Sequence, residues 1–256
     1  MTSSLRIGLS QFNISWENPS ANLSRLDSLL KTEQDLDLIV LPEMWSTGFT
    51  MHTDIAEEGM HGTALSWMKQ KAAQSSAHVA GSIAIKIDEH YFNRFCVVSP
   101  QGEVQYYDKR HLFSYGNEDH YYTAGKQQLT FTIGDWRLRA IVCYDLRFPL
   151  WCRNTDQYDI LLVVANWPRP RIHHWDALLR ARAIENQCYV VAVNRVGTDG
   201  NQLEYNGHSA AIDMNGSTLL SMEDQEGIGK VTLDKEALIK FRGQYRFLQD
   251  RDPFTF

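Results

Sequence analysis

Short, mainly apolar runs that stop at a proline or at a reactive side chain constrain this chain more than any other feature. Residues 36–41, 136–142, 159–164 and 188–193 are each strand length and too short for a helix. They are rich in Leu, Ile and Val with little alternation, the pattern of strands buried on both faces. Helical periods lie between them. Asn18-Pro19 supplies an N-cap and a first-turn proline, and Leu23, Leu26, Leu29 and Leu30 follow at helical spacing. Leu65, Met68, Ala72 and Ala73 share one face within residues 62–77, and Trp175, Leu178, Leu179 and Ala183 share another. Doubly buried strands alternating with amphipathic helices predict an α/β fold. Turn signals at Pro100-Gln101-Gly102, Gly134-Asp135 and Asn215-Gly216 add antiparallel hairpins, so the sheets are expected to be mixed. No Ser/Gly-rich linker, composition shift or repeat divides the chain, which predicts a single domain over residues 1–256. Residues 111–126 are polar, aromatic and irregular, as functional loops often are, and residues 242–256 show no clear period.

With 43% hydrophobic and 22% charged residues, a chain of 256 residues buries a large core without disulfide or metal staples. The net charge of −6 and the lack of a basic patch argue against nucleic acid. The one local basic cluster, Arg169, Arg171, Arg180 and Arg182, is broken by Trp175 and Asp176, which favours a structural or substrate role. The four cysteines form no C-x-x-C pair, the start at Met1-Thr2-Ser3-Ser4-Leu5-Arg6 has no export pattern, and no apolar run approaches the ~20 residues of a membrane helix. A cytoplasmic protein with no membrane partner is expected.

Three reactive groups lie just beyond apolar or strand-like runs: Glu43 after Leu41-Pro42, Lys109 after Tyr107-Asp108, and Cys143 after Val142. Open α/β sheets place ligands at the carboxyl ends of strands. A thiol is mostly protonated at neutral pH, so a carboxylate beside it serves as general base. An ammonium stabilises the thiolate and then an oxyanion. Together these are the parts needed for acyl transfer from an amide. Singly, each has an ordinary reading: a small buried cysteine, a turn-capping glutamate, a solvated lysine. No G-x-S-x-G, P-loop or H-E-x-x-H is present. His173 and His174 are adjacent on a predicted helix, ~100° apart, which disfavours a shared metal.

The flanking residues decide between these readings. Leu41-Pro42-Glu43, Tyr107-Asp108-Lys109-Arg110-His111-Leu112-Phe113 and Val142-Cys143-Tyr144-Asp145-Leu146-Arg147-Phe148-Pro149 resemble, in order, the three signature segments of the nitrilase (carbon–nitrogen hydrolase) superfamily. The resemblance runs from Leu5 to about Gly216. It implies a four-layer αββα sandwich with mixed sheets, a homodimer built through its helices, and no metal or organic cofactor. It also implies Cys143 as nucleophile, Glu43 as general base and Lys109 as the cation that stabilises the oxyanion, joined by the Tyr144 backbone N–H. A second active-site glutamate is expected in the loop after the lysine. Glu118 is the best match, Asp119 an imperfect competitor, and a solvated loop charge the plain alternative.

The segments Val163-Val164-Ala165-Asn166-Trp167-Pro168 and residues 178–187 resemble the ω-amidase branch, in particular its bacterial members. That implies a small 2-oxo acid amide, 2-oxoglutaramate or 2-oxosuccinamate, hydrolysed through a thioester to the 2-oxo dicarboxylate and ammonia. Such a substrate carries a carboxylate away from its scissile amide, so a cation must stand off from the thiol. Arg147, one turn after Cys143, suits that task through bidentate pairing. Trp167 is expected as an aromatic wall and Asn166 as a hydrogen-bond donor. Alternatively, Arg147 is a structural arginine paired with Asp145 or Glu185, and Trp167 is core. A carbamoylase or nitrilase on the same scaffold is the enzymatic alternative, and a non-catalytic dimeric binding protein the remote one.

Overall fold

The computed structural model describes residues 4–254. Met1, Thr2 and Ser3, on which the expected lack of an export signal partly rests, and Thr255 and Phe256 lie outside the described residues.

One sheet contains β1 (Ser4–Gln11), β2 (Leu38–Val40), β3 (Glu57–Glu58), β4 (His78–Ile87), β5 (His90–Val98) and β6 (Val104–Asp108). The other contains β7 (Leu129–Ile133), β8 (Trp136–Val142), β9 (Ile160–Val164) and β10 (Tyr189–Val193). Further along come a two-stranded ribbon, β11 (Val196–Thr198) and β12 (Glu204–Asn206), and then β13 (Ala210–Ile212), β14 (Thr218–Ser221) and β15 (Gly227–Asp234). The first sheet runs β15-β1-β2-β4-β5-β6, with β3 beside β4, and the second runs β14-β13-β10-β9-β8-β7. Both are mixed. β1, β2 and β4 are parallel neighbours, as are β8, β9 and β10, while the outer pairs are antiparallel.

The continuous apolar runs are explained by what lies on each face. In β2, Leu38 and Val40 join the core between the sheets, whereas Ile39, and Leu41 just past the strand, face the core under the helices. In β5, Phe95 and Val97 split from Cys96 and Val98 in the same way. The helices α1 (Pro19–Leu30) and α2 (Thr63–Ser75) cover the first sheet with Leu26, Leu30, Leu65, Met68 and Ala72. Two short helical turns follow, α3 (Glu118–Tyr121) and α4 (Pro149–Cys152). The helices α5 (Ile172–Asn186) and α6 (Lys235–Gln244) cover the second sheet with Trp175, Leu179, Ala183 and Leu238. The result is the expected αββα sandwich. Each fully buried Leu, Ile or Val contributes about 1.5–3 kcal/mol, so burial on both faces of both sheets dominates its stability.

Local signals read as expected in several places. The Asn18 side chain accepts from the Ala21 N–H at 3.1 Å, with Pro19 opening α1. Asn215-Gly216 turns β13 into β14. The irregular stretch after Lys109 holds a 3₁₀ turn (Ser114–Gly116) as well as α3. The stretch without a clear period is corrected in part: α6 runs through Arg242, capped by Asp234, whose carboxylate accepts from the Glu236 and Ala237 N–H groups.

Candidate active site

The shared register of three parallel strands sets the site's floor. Val142 of β8 pairs with Val164 of β9, which pairs with Val193 of β10, so all three strands end level. Cys143 and Asn166 leave those ends side by side, and the Cys143 Sγ lies 4.0 Å from the Asn166 carbonyl oxygen. Cys143 has φ +45° and opens a 3₁₀ helix, Cys143–Arg147. A non-glycine residue there costs about 1–3 kcal/mol and persists only where the surroundings hold it. What holds it is Asp145. Its buried carboxylate accepts from the Val142 N–H at 3.0 Å, the Tyr107 hydroxyl at 2.7 Å and the His111 N–H at 2.9 Å. The elbow that carries the thiol is thereby tied to the segment that carries Lys109.

Glu43 arrives from the first sheet, three residues past β2, and is followed by Met44 at φ +42°. Its carboxylate accepts from the Lys109 ammonium at 2.8 Å, from Asn93 Nδ2 at 2.8 Å and from the Asn166 N–H at 2.8 Å. Lys109 also donates to both oxygens of Glu118, at 3.0 and 2.8 Å. Glu118 accepts further from Asn93 Nδ2 at 3.1 Å and from the Phe113 N–H at 2.6 Å. The Lys109 and both glutamate side chains are fully buried. Asp119 is exposed, so burial and pairing single out Glu118.

Electrostatics follow from this packing. Burial works against the Lys109 charge, but Glu118 and Glu43 outweigh it and hold the ammonium above its ordinary value. Burial pushes the Glu118 carboxyl up, Lys109 pulls it back, and Glu43 pushes it up again; the balance is a raised value. Burial and then Glu43 push the Cys143 thiol well above its ordinary value, against the pull of Lys109. The thiol therefore rests protonated beside a carboxylate that can accept its proton.

A cavity of about 320 Å³ opens onto Cys143. Glu43, Lys109, Cys143, Tyr144, Arg147, Asn166 and Trp167 all line it. Glu118 does not; it stands behind Lys109. Arg147 is not paired with Asp145 or Glu185. Asp145 is occupied as described, and Glu185 takes Arg182 at 2.9 Å. Instead the Arg147 guanidinium lies 4.7 Å from the Trp167 ring centre and 3.1 Å from His174 Nδ1. Trp167 is both wall and core: it lines the cavity while only 2% exposed.

Asn166 is tied to Glu43 twice: its N–H donates to the carboxylate, and one Nδ2 hydrogen donates to the backbone oxygen at 2.6 Å. Because that backbone oxygen only accepts, the amide orientation is fixed. Its acceptor Oδ1 is buried and has no partner among the described residues. The rings of His173 and His174 touch, with centroids 4.1 Å apart. Among the described residues no group of three His, Cys, Asp or Glu could hold a metal ion, and no helix is long and apolar enough to cross a membrane.

Sequence reasoning missed Asn93, which bridges the two glutamates and accepts from Ser82 Oγ at 2.8 Å. The available signal was an Asn-Arg pair inside the apolar run of β5. It places Asp145 only as a partner of Arg147, whereas Asp145 binds Tyr107, His111 and the Val142 N–H.

Comparison with known proteins places the chain in a family and agrees with its fold. The carbon–nitrogen hydrolase family model matches residues 6–242. The chain is 42% identical over 251 residues to the omega-amidase YafV of Escherichia coli (strain K12), covering 98% of each chain. It is 36% identical over 239 residues to the 2-oxoglutaramate amidase of Bacillus subtilis (strain 168), covering 91% of this chain and 92% of that one. Among solved structures, XC1258 from Xanthomonas campestris, a CN-hydrolase superfamily protein with an arsenic adduct in its active site, superposes with a TM-score of 0.97 at 41% identity over 99% of each chain. The chain thus belongs to the carbon–nitrogen hydrolase family and is an amide-hydrolysing enzyme.

Proposed function

We propose that the enzyme hydrolyses the terminal amide of a short 2-oxo acid amide, 2-oxoglutaramate or 2-oxosuccinamate, to the 2-oxo dicarboxylate and ammonia. One observation carries this reading: a single cavity joins the Cys143–Glu43–Lys109 group to a guanidinium, that of Arg147, with no acid partner among the described residues. The relatives named omega-amidase and 2-oxoglutaramate amidase support the same substrate class. An arsenic adduct in the Xanthomonas active site fits a reactive thiol, since arsenic is thiophilic.

In this reading Glu43 takes the Cys143 proton as the sulfur attacks the amide carbon. Lys109 Nζ and the Tyr144 N–H, in the first turn of the 3₁₀ helix where amides lack an internal partner, hold the oxyanion. Glu43 returns the proton to the leaving nitrogen, the C–N bond breaks, and ammonia departs from a thioester. Water then gives a proton to Glu43 and attacks the thioester; the C–S bond breaks and the thiol is reprotonated. Glu118 and Asn93 hold Lys109 and Glu43 in place, and Asn166 Oδ1 is the natural acceptor for the scissile NH₂ group. The enzyme is further proposed to act as one domain and as a homodimer in the cytoplasm. Ile184 on α5 and Ile239 on α6, both exposed, suit a helix-to-helix contact that light scattering would detect.

Ammonia release from a substrate panel tests the assignment. Fast turnover of 2-oxoglutaramate or 2-oxosuccinamate and slow turnover of uncharged amides supports it. Preference for N-carbamoyl amino acids, with carbon dioxide released, or for nitriles assigns the alternatives instead.

A further inference from the structure

The basic cluster that stands out in the sequence is almost fully accounted for. Arg169 pairs with Glu204 at 2.9 Å, Arg180 donates to the Gly216 carbonyl, and Arg182 pairs with Glu185 and donates to the Leu146 carbonyl at 2.7 Å. Arg171 remains. Its side chain lines the same cavity as Cys143 and Arg147. The acids nearby are occupied: Asp199 accepts from the Tyr205 hydroxyl and from the Asn201 and Leu203 N–H groups, and Asp176 faces His208. Neither Arg147 nor Arg171 pairs with a carboxylate among the described residues.

Both guanidiniums are nevertheless mounted. Arg147 sits 4.7 Å from the Trp167 ring centre, and Arg171 sits 5.5 Å from that of Phe113. An arginine seated over an aromatic face keeps its N–H edge for an anion. The two mounts are themselves fixed. Trp167 Nε1 donates to the Arg171 backbone oxygen at 2.8 Å, so one indole seats Arg147 on its face and anchors the Arg171 backbone by its edge. Phe113 is held by its N–H on Glu118. His174 accepts from Arg147 on the cavity's flank.

We propose that Arg171 is a second substrate-binding residue, forming with Arg147 a two-guanidinium clamp for the carboxylate and adjoining 2-oxo oxygen of the substrate. This rests on the substrate class proposed above. One guanidinium suffices for a lone carboxylate. Two, on separate rigid mounts, supply a donor for the 2-oxo oxygen as well, and so distinguish a 2-oxo acid amide from the plain monoamide of a dicarboxylic acid.

The test compares wild type, Arg171→Ala, Arg171→Lys and Arg147→Ala on 2-oxoglutaramate, the monoamide of glutaric acid and an uncharged amide of equal length. Calorimetric titration with 2-oxoglutarate provides a readout independent of turnover. Loss of a charge-assisted hydrogen bond predicts that Arg171→Ala raises KM for 2-oxoglutaramate on the order of tenfold or more, with kcat little changed. KM for the uncharged amide stays put, the preference over the monoamide shrinks, and 2-oxoglutarate binding weakens in parallel. Arg171→Lys keeps the charge but loses the fork, and recovers only part. If Arg171→Ala leaves KM and 2-oxoglutarate binding unchanged while Arg147→Ala alters them, the clamp is refuted and the proposed function stands. If the wild type neither prefers carboxylate-bearing amides nor binds 2-oxoglutarate, both fall.

Discussion

Removing the Asn93 side chain would test how the buried charges are kept in order. Asn93 Nδ2 donates to Glu43 at 2.8 Å and to Glu118 at 3.1 Å, and its Oδ1 accepts from Ser82 at 2.8 Å. Hydrogen bonds to charged groups are each worth about 1.5–3 kcal/mol. Asn93→Ala removes two donors of that kind and leaves two carboxylates sharing only Lys109 between them. The expected loss is about 3 kcal/mol of stability, at the low end because Lys109, the Asn166 N–H and the Phe113 N–H remain. For a chain of this size that corresponds to a fall in Tm of about 6–12 °C. Urea unfolding reads the first quantity and calorimetry the second. The same change lets Glu43 move, so ammonia release should fall roughly 10²-fold, as expected when an oriented group is misplaced by about 1 Å. Asn93→Asp should be worse than Asn93→Ala, because it sets a third carboxylate against the first two. An Asn93→Ala protein that unfolds within about 0.5 kcal/mol of wild type, the range of an ordinary surface change, would refute the reasoning. So would an Asn93→Asp protein more active than Asn93→Ala.

Other outcomes follow from the same geometry. Cys143→Ala should abolish ammonia release and leave the unfolding midpoint almost unmoved, and an active-site electrophile should label Cys143 alone by intact mass. Cys96, Cys152 and Cys188 are buried whereas Cys143 is partly exposed on the cavity, so labelling of the other three instead would sink the nucleophile assignment. Lys109→Met should cost about 10² or more in kcat by losing an oxyanion donor, and about 3–5 kcal/mol of stability by stranding two buried carboxylates, read by single-turnover kinetics and urea unfolding. The His174 imidazole is held below its ordinary value by loss of solvation, then by His173, Arg147 and Arg171. It is neutral at pH 7 and its Nδ1 accepts from Arg147; once protonated, it cannot accept. KM for carboxylate-bearing amides should therefore rise as pH falls below the ordinary imidazole range, with no such rise for uncharged amides, and His174→Gln should flatten the acid limb.

The parts of the fold written in local chemistry were legible in the sequence. Doubly buried β2, β9 and β10 read as unbroken apolar runs, and α1 announces itself through Asn18-Pro19. The helix α6 did not, because only Leu238 of its ten residues is buried and the rest is polar or exposed enough to hide the period. At the site, Glu43, Lys109 and Cys143 were legible because each follows a strand-like run within a distinctive segment. Asn93 was not, because nothing local distinguishes an asparagine that serves two carboxylates distant in sequence from one that merely interrupts a strand. The place of Asn166 at the cavity was legible, but its unpartnered Oδ1 was not. Which of its atoms is free depends on Glu43, 123 residues away.

The level ends of β8, β9 and β10 act as a vernier for the chemistry. Val142, Val164 and Val193 align across three parallel strands; Cys143 follows the first directly and Asn166 follows the second after Ala165. Strand geometry advances about 3.3 Å per residue and flips faces with each step. A one-residue insertion or deletion within any of these strands would therefore carry its terminal group out of contact and turn its side chain to the opposite face. The connection 111–126 is constrained as well, because its His111 N–H binds Asp145 and its Glu118 binds Lys109. The strand ends thus fix where the Cys143 sulfur lies, and the loop after Lys109 locks the neighbouring charges onto it.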